Sequence, residues 1–202
     1  DFVVQQIRKL QESGKSNPGD TAIFYRTNAQ SRVFEEVFMR VAIPYKVVGG
    51  VRFYERKEIK DFLAYLRVIV NPNDEVSMRR IINTPKRGIG DRALDQLDLY
   101  AQANNISFWQ GLCEVEKNQE IAPRSAGSLV EFVKLIQSLQ TLVEAKIRPS
   151  VIAQATLEQS GLLAELSQSN DPQDEVRIEN LEELVAVATE YEEGEVDEGE
   201  EI

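Results

Sequence analysis

Apolar residues in this 202-residue chain recur in two different rhythms, and the change between them falls at Asn71-Pro72-Asn73-Asp74. Before it, short runs rich in β-branched and aromatic residues alternate with helical periods. After it, strand signals vanish and helical periods follow one another, broken at 84–90, 104–105, 118–123, 148–149 and 170–172. Each period buries only one face of the element it builds, so the pattern implies an α/β segment followed by an all-α segment.

In the first segment Phe2, Val3, Ile7 and Leu10 have helical spacing up to Gly14 and the polar stretch 16–19. The run 21–26 reads as a buried strand, and Asn28 as the cap of a helix over 29–40 whose face carries Val33, Val37 and Phe38, followed by Val41. Pro44 to Val48 reads as a second strand and Gly49-Gly50 as a turn. A helix over 55–70 then places Ile59, Phe62, Leu63, Leu66 and Val70 on one face. The order α-β-α-β-α implies parallel strands flanked by helices, but two strands do not make a stable sheet alone. The expectation is therefore a fragment whose remaining strands lie elsewhere in a longer protein. In the second segment the last helix spans 174–191, with Ile178, Leu181, Leu184, Val185 and Ala188 on its apolar face. The expected organisation is an α/β unit at 1–70, a helical subdomain at 71–191, and an acidic linker or truncated tail at 192–202.

An apolar fraction of 42% with 28% charged residues is that of a globular chain. The net charge of −11 argues against a nucleic-acid partner if taken whole, because phosphate affinity comes from Lys and Arg. The charge is segregated, however: residues 1–100 hold 17 Lys+Arg against 13 Asp+Glu, a net of +4, and the rest hold 6 against 21, a net of −15. Cys113 is the only cysteine and histidine is absent, which excludes an internal disulfide, a Cys/His or Ser-His-Asp centre and an ordinary transition-metal site. No apolar run approaches the roughly 18 residues of a membrane span, and no leader with a cleavage site is visible. The expected setting is cytoplasmic, with no membrane partner.

Gly14-Lys15-Ser16 matches the end of a phosphate-binding loop, but Lys9 stands where the motif needs glycine and a helix precedes it where the motif needs a strand. It reads as a polar turn. The stretch 24–32 puts Tyr25 and Arg26 at the carboxyl end of the first expected strand, where open α/β sheets bind ligands. There an arginine can pair with a phosphate and a tyrosine can stack on a base, or both can be ordinary surface residues. Thr84 to Arg92 joins a helix over 75–83 to one over 92–104 through Gly88-Ile89-Gly90, and resembles a helix-hairpin-helix DNA-binding element. Its glycines would let backbone N–H groups approach a phosphate, Ile89 would plug the turn into the core, and Lys86, Arg87 and Arg92 would supply charge. A purely structural helical hairpin is the alternative. In 49–61, Arg52 and Phe53 could grip a single strand by phosphate pairing and stacking, whereas Arg56, Lys57 and Lys60 fit a solvated helical face. Phe108, Trp109, Phe132 and Leu135 fit core positions.

The succession Phe24 to Arg32, then Pro44 to Asp61, then Asn83 to Gly90, with the late Arg177 to Leu184, resembles the superfamily 1 DNA helicases of the UvrD, PcrA and Rep kind. The likeness runs in order from about Phe2 to Tyr191. It implies that 1–70 is the first half of the second RecA-like motor domain, and that the rest is a mobile helical subdomain inserted within it. Arg26 would then sense the γ-phosphate of ATP, as the catalytic contribution of this chain, and Tyr25 would pack on the adenine. Lys86, Arg87, Gly88, Ile89 and Gly90, with Arg92 beside them, would grip duplex DNA ahead of the fork, and Arg52 with Phe53 would lie near the translocating strand.

The parent protein would be an ATP- and Mg2+-dependent 3'-to-5' helicase of repair or replication. The motifs that bind ATP and metal are not in this chain, so it is expected to hold no cofactor or metal and to be inert as an ATPase. Expected partners are duplex and single-strand/duplex junction DNA and repair or transcription proteins. The chain itself is expected to be a monomer, with an incomplete sheet that could swap between copies. A protein-interaction or autoinhibitory module is the alternative that the acidic second half supports.

Overall fold

Helices are the regular elements of the described chain, with irregular stretches between them. The computed structural model describes residues 2–199, and their contacts divide them into two compact units, which meet in sequence between Arg56 and Lys57. The boundary falls earlier than the texture change at Asn71, so the helix ending at Val70 belongs to the second unit.

The first unit contains α1 (Phe2–Glu12) and α2 (Ser31–Arg40). Val4, Ile7 and Phe38 are buried between them, with Val3, Ile23, Phe34, Val37, Val41, Ile43 and Tyr45 packed against that core. The Gly14-Lys15-Ser16 stretch turns out to be the cap of α1. Gly14 adopts φ +68°, its N–H donates to Gln11 O at 3.0 Å, and Lys15 N donates to Leu10 O at 3.0 Å.

The two expected strands are corrected: no strand is formed among the described residues, although Thr21 and Thr27 have extended dihedrals. Apolar periodicity reports which residues favour burial, whereas a strand exists only through its ladder. Phe24 and Val48, read as strand interior, are 94% and 85% exposed. The sequence offered Asn28 as the cap of α2. Instead residues Asn28–Gln30 form a 3-10 turn, and the Gln30 side chain accepts from Arg26 N at 2.9 Å and Thr27 N at 3.3 Å.

A buried carboxylate ties the loop after Gly50 to α2. Glu35 is buried, and its two oxygens each accept from Phe53 N at 3.2 Å while Tyr45 Oη donates to it at 3.4 Å. Tyr54 Oη donates to Glu36 at 2.6 Å, at the next position along the helix. Arg56 is buried too, donating from Nη2 to Asn28 O at 3.0 Å and Ser31 Oγ at 2.9 Å, with its guanidinium 5.2 Å from the Phe53 ring centre.

The second unit is built around α3 (Lys57–Val70), which touches α4 (Glu75–Ile81), α7 (Pro123–Glu144), α8 (Pro149–Gln159) and α10 (Pro172–Gly199). The helix starts after a 3-10 turn at Phe53–Glu55, not at Glu55 itself. Ile59, Phe62, Tyr65 and Val68 are fully buried, as expected for Ile59 and Phe62. Val70 is corrected: it is 73% exposed, because the face turns through Ile69 as the helix ends.

Between these elements lie α5 (Asp91–Asn104), α6 (Phe108–Cys113) and α9 (Leu162–Ser167). Polar residues set the starts. The Asp74 carboxylate accepts from Ser77 N at 3.1 Å and Ser77 Oγ at 2.7 Å, and these bonds hold its pKa below the ordinary range. Ser107 and Gln110 cap α6 reciprocally, and Pro123 and Pro149 open α7 and α8. Helix α10 continues past Tyr191 to Gly199, which corrects the helix end expected at 191; glutamate has a high helix propensity, so charge alone does not stop a helix. Residues 200–202 of the expected tail lie outside the described residues. No described helix is long and apolar enough to cross a membrane.

Removing the Glu35 acceptor leaves a buried Phe53 N–H unpaired, so Glu35→Ala is expected to lose about 1–3 kcal/mol in urea unfolding. Glu35→Gln should lose less, and an alanine variant as stable as the parent would exclude the tie.

A second expectation concerns pH. Asp61 is buried, its Oδ1 accepting from Arg80 Nε at 2.7 Å, and burial raises its pKa more than Arg80 lowers it. The folded chain thus holds that proton more tightly than the unfolded one. Its contribution is most favourable below the ordinary value of 3.8 and declines as pH rises through the raised one. Asp61→Asn, which keeps an acceptor for Arg80, should be at least as stable as the parent at pH 7, with the advantage shrinking in acid. A lower urea midpoint at pH 7 would contradict this.

Candidate nucleic-acid interface

Residues 82–90 link α4 to α5, and the two helices are clasped by Arg79, whose Nη2 lies 2.7 Å from Glu75 and 2.5 Å from Asp98. The turn between them is tied to one amide side chain: Asn83 Oδ1 accepts from Arg87 N at 2.8 Å and from Ile89 N at 3.4 Å. Ile89 is 3% exposed and anchors the turn in the interior, while Lys86, Gly88, Gly90 and Arg92 are exposed. Gly88 has φ +74°, where an L side chain is strained, yet a Cβ there would meet nothing within 4 Å. Its requirement is therefore conformational. Gly90 precedes α5 with φ −91° and ψ 161°, so the first-turn N–H groups of a 14-residue helix open beside Lys86 and Arg92 in sequence, with Asp91 as the one acidic residue of that turn.

Arg87 behaves differently from its neighbours. Its Nη1 donates to Ile81 O at 3.0 Å, Pro85 O at 3.2 Å and Ile82 O at 3.4 Å. Its Nη2 donates to Tyr65 Oη at 2.5 Å and Ser160 O at 2.9 Å. The guanidinium lies 5.3 Å from the Phe132 ring centre and 5.9 Å from that of Tyr65. The Arg87 carbonyl accepts from Ser128 Oγ at 2.9 Å. Tyr65, fully buried on α3, donates its own hydroxyl proton to Thr84 O at 2.6 Å, and burial raises its pKa more than Arg87 lowers it. The Arg87 side chain is thus engaged within the protein rather than offered to solvent.

In the first unit Tyr25 is half-buried and Arg26 exposed, side by side in the loop that leads into α2. The Arg26 guanidinium makes no hydrogen bond or ion pair among the described residues, so its fork is free for an anion. Arg52 is exposed, 5.4 Å from the Tyr45 ring centre. Phe53 is 0% exposed and meets Tyr54 edge-on at 5.2 Å, which corrects the picture of a ring available for stacking: the backbone bond to Glu35 holds it inward.

The sequence reading missed Asn83, Tyr65, Ser128 and Ser160, all of which fix the turn, and it assigned Arg56 to a solvated face. A tyrosine on an otherwise apolar helical face was the available signal for Tyr65, since its hydroxyl needs a partner when buried. Ser160 lies 73 residues from Arg87 and gave no local sign.

The sequence matches the family model of the UvrD-like helicase C-terminal domain over residues 1–202. It is 45% identical over 192 residues to "ATP-dependent DNA helicase UvrD1" of Mycobacterium tuberculosis (strain ATCC 25618 / H37Rv), covering 94% of this chain and 25% of that protein. It is 45% identical over 193 residues to "ATP-dependent DNA helicase PcrA" of Staphylococcus epidermidis (strain ATCC 12228 / FDA PCI 1200), covering 96% and 26%. The corresponding protein of Staphylococcus aureus (strain NCTC 8325 / PS 47) is 43% identical over the same shares. The chain spans about a quarter of the length of these relatives. Matched from its first residue to its last, the chain belongs to the family of UvrD-like helicase C-terminal domains.

Proposed function

We propose that this chain is the part of a cytoplasmic ATP-dependent 3'-to-5' DNA helicase of repair or replication that holds duplex or junction DNA and lends an arginine to ATP hydrolysis. The observation that carries the reading is the turn 84–92. Lys86, Gly88, Gly90 and Arg92 are exposed around an anchored Ile89, at the open N-terminus of α5. Exposed N–H groups, a helix dipole and flanking cations suit a phosphate backbone, and such contacts carry no base information. The net charge of +4 in residues 1–100 agrees with this placement of DNA. The net of −15 in the remainder suits a basic protein partner, which makes a protein-interaction role the second reading.

The same proposal assigns residues 1–70 to part of a RecA-like motor domain and 71–191 to its inserted helical subdomain. ATP with Mg2+ would supply the phosphoanhydride bond whose cleavage drives unwinding. Of the residues here, Arg26 fits the γ-phosphate, because its exposed guanidinium is free for bidentate pairing, and the half-buried Tyr25 fits the adenine face. Arg52 fits a phosphate of the translocating strand, whereas the buried Phe53 serves by keeping the Arg52 segment on α2. Hydrolysis itself falls to parts of the parent protein other than these residues.

The chain should bind a duplex with a 3' single-strand tail, more weakly as salt rises. Lys86→Ala with Arg92→Ala should weaken binding and lower the slope of log K against log salt by about 0.9 for each phosphate that is no longer neutralised. Unchanged affinity in the double variant would remove DNA from this turn, and capture of a basic protein partner instead would favour the second reading.

In the whole parent protein, Arg26→Ala should lower kcat for DNA-stimulated ATP turnover by about 10³-fold or more with KM much less affected, as for other γ-phosphate arginines. Turnover near the parental rate would show that Arg26 is a surface residue.

A further inference from the structure

We infer that Arg87 is a positioning residue for the 84–92 turn: with Tyr65, Asn83 and Ser128 it fixes the backbone that meets phosphate, and it does not itself pair with DNA. The inference deepens the reading of this turn as the DNA-holding element and rests on it.

The bonding leaves little of Arg87 for a ligand. A guanidinium has five N–H donors, and both terminal nitrogens are directed at acceptors within the protein: the Ile81, Ile82 and Pro85 carbonyls, the Tyr65 hydroxyl and the Ser160 carbonyl. Pairing with a phosphate would strand those oxygens and expose the stacking against Phe132.

The acceptors also have a pattern. Ile81 and Ile82 end α4, where helix carbonyls lack their usual intrahelical partners; Ile81 O already accepts from Thr84 N at 3.0 Å, and Arg87 adds a donor to it and one to Ile82 O. Pro85 lies inside the turn, Ser160 at the junction of α8 and α9, and Tyr65 in the middle of α3. One side chain therefore joins the turn to three parts of the helical unit. Its own main chain is held at both ends, N–H by Asn83 and carbonyl by Ser128 on α7. Gly88 follows directly and the Ile89 N–H is itself taken by Asn83 Oδ1, so the path of the chain into the first turn of α5 is set by these bonds. A planar fork is needed for this geometry; a lysine ammonium at the same place cannot reach separated acceptors on both sides.

The test compares Arg87→Lys, Tyr65→Phe and their double variant in the 202-residue chain, with Lys86→Ala as a control for direct phosphate pairing. Amide hydrogen exchange at Arg87, Ile89 and Ala93, whose N–H groups are hydrogen-bonded, is measured without DNA, and affinity for the tailed duplex is measured across salt. Arg87→Lys and Tyr65→Phe should each speed exchange in the turn at least tenfold and weaken binding, and the double variant should add little to either single change. Tyr65 is buried and cannot touch DNA, so its effect separates positioning from direct pairing. Lys86→Ala should instead weaken binding with exchange unaltered. The inference fails if Arg87→Lys leaves exchange unchanged while lowering the salt slope by about 0.9, or if Tyr65→Phe exchanges and binds like the parent. Should the parent chain itself bind no DNA, the functional reading falls separately, and the exchange data alone decide whether Arg87 holds the turn.

Discussion

The bond between Arg87 and the Tyr65 hydroxyl is where the helical unit closes on itself. It works beside the Tyr65 hydroxyl's own bond to Thr84 O and the buried Ile89 in holding the α4–α5 turn. That turn is bonded to the middle of the central helix, to the α8–α9 junction and, through Ser128, to α7. Removing a charged group from water is costly, and the cost is recovered only when every N–H finds an oxygen at good geometry. The two terminal nitrogens of Arg87 meet that condition on carbonyls at the end of α4, inside the turn and at Ser160, and on the Tyr65 hydroxyl. The cation thus offsets its own partial desolvation while tying the end of α4 to the turn.

The first unit uses the same solution with both signs of charge. Glu35 takes a backbone N–H and a tyrosine hydroxyl, and Arg56 supplies donors to the Asn28 carbonyl and the Ser31 hydroxyl. Both are buried on or against α2, and each fastens a stretch of irregular chain that has no ladder to hold it. Segments 21–26 and 44–48 form no ladder with each other in this structure, and at the end of the first the Gln30 side chain accepts from Arg26 N. Apolar residues within them, Phe24 and Val48, remain open to a surface that could cover them.

What was legible in the sequence follows from this division. Periodicity reports area, and it located α3, α5, α7 and the apolar side of α10, where Leu181 and Leu184 are indeed buried. The Gly-Ile-Gly spelling marked a turn with one glycine in the left-handed region and one buried isoleucine, since Gly88 and Ile89 each have a local reason for their identity. Bonds across long separations left no such mark. Arg56 and Arg87 look in the sequence like their exposed neighbours Lys57 and Lys86, because charge is visible locally and its partners are not. Strand-like runs misled for a related reason: β-branched and aromatic residues favour a pleated surface, but the ladder that completes it is not a property of the run itself.

For the DNA-holding role proposed for it, the 84–92 turn would need two kinds of cation, and they make opposite demands. Those that meet DNA must stay hydrated and mobile until they touch it, and then release counterions as they pair, which suits Lys86 and Arg92 at the surface. The one that shapes the turn must be engaged within the protein beforehand, as the half-buried Arg87 is through both terminal nitrogens, so that the chain leading into α5 is fixed before any ligand arrives. Combining both duties in one side chain would mean breaking the scaffold to bind the phosphate. The sequence Lys86-Arg87 separates them by one residue: the flexible ammonium is exposed, and the planar fork points in, where its shape matches the carbonyls around it. Neighbouring positions of like charge can therefore differ in role by as much as a core residue differs from a surface one.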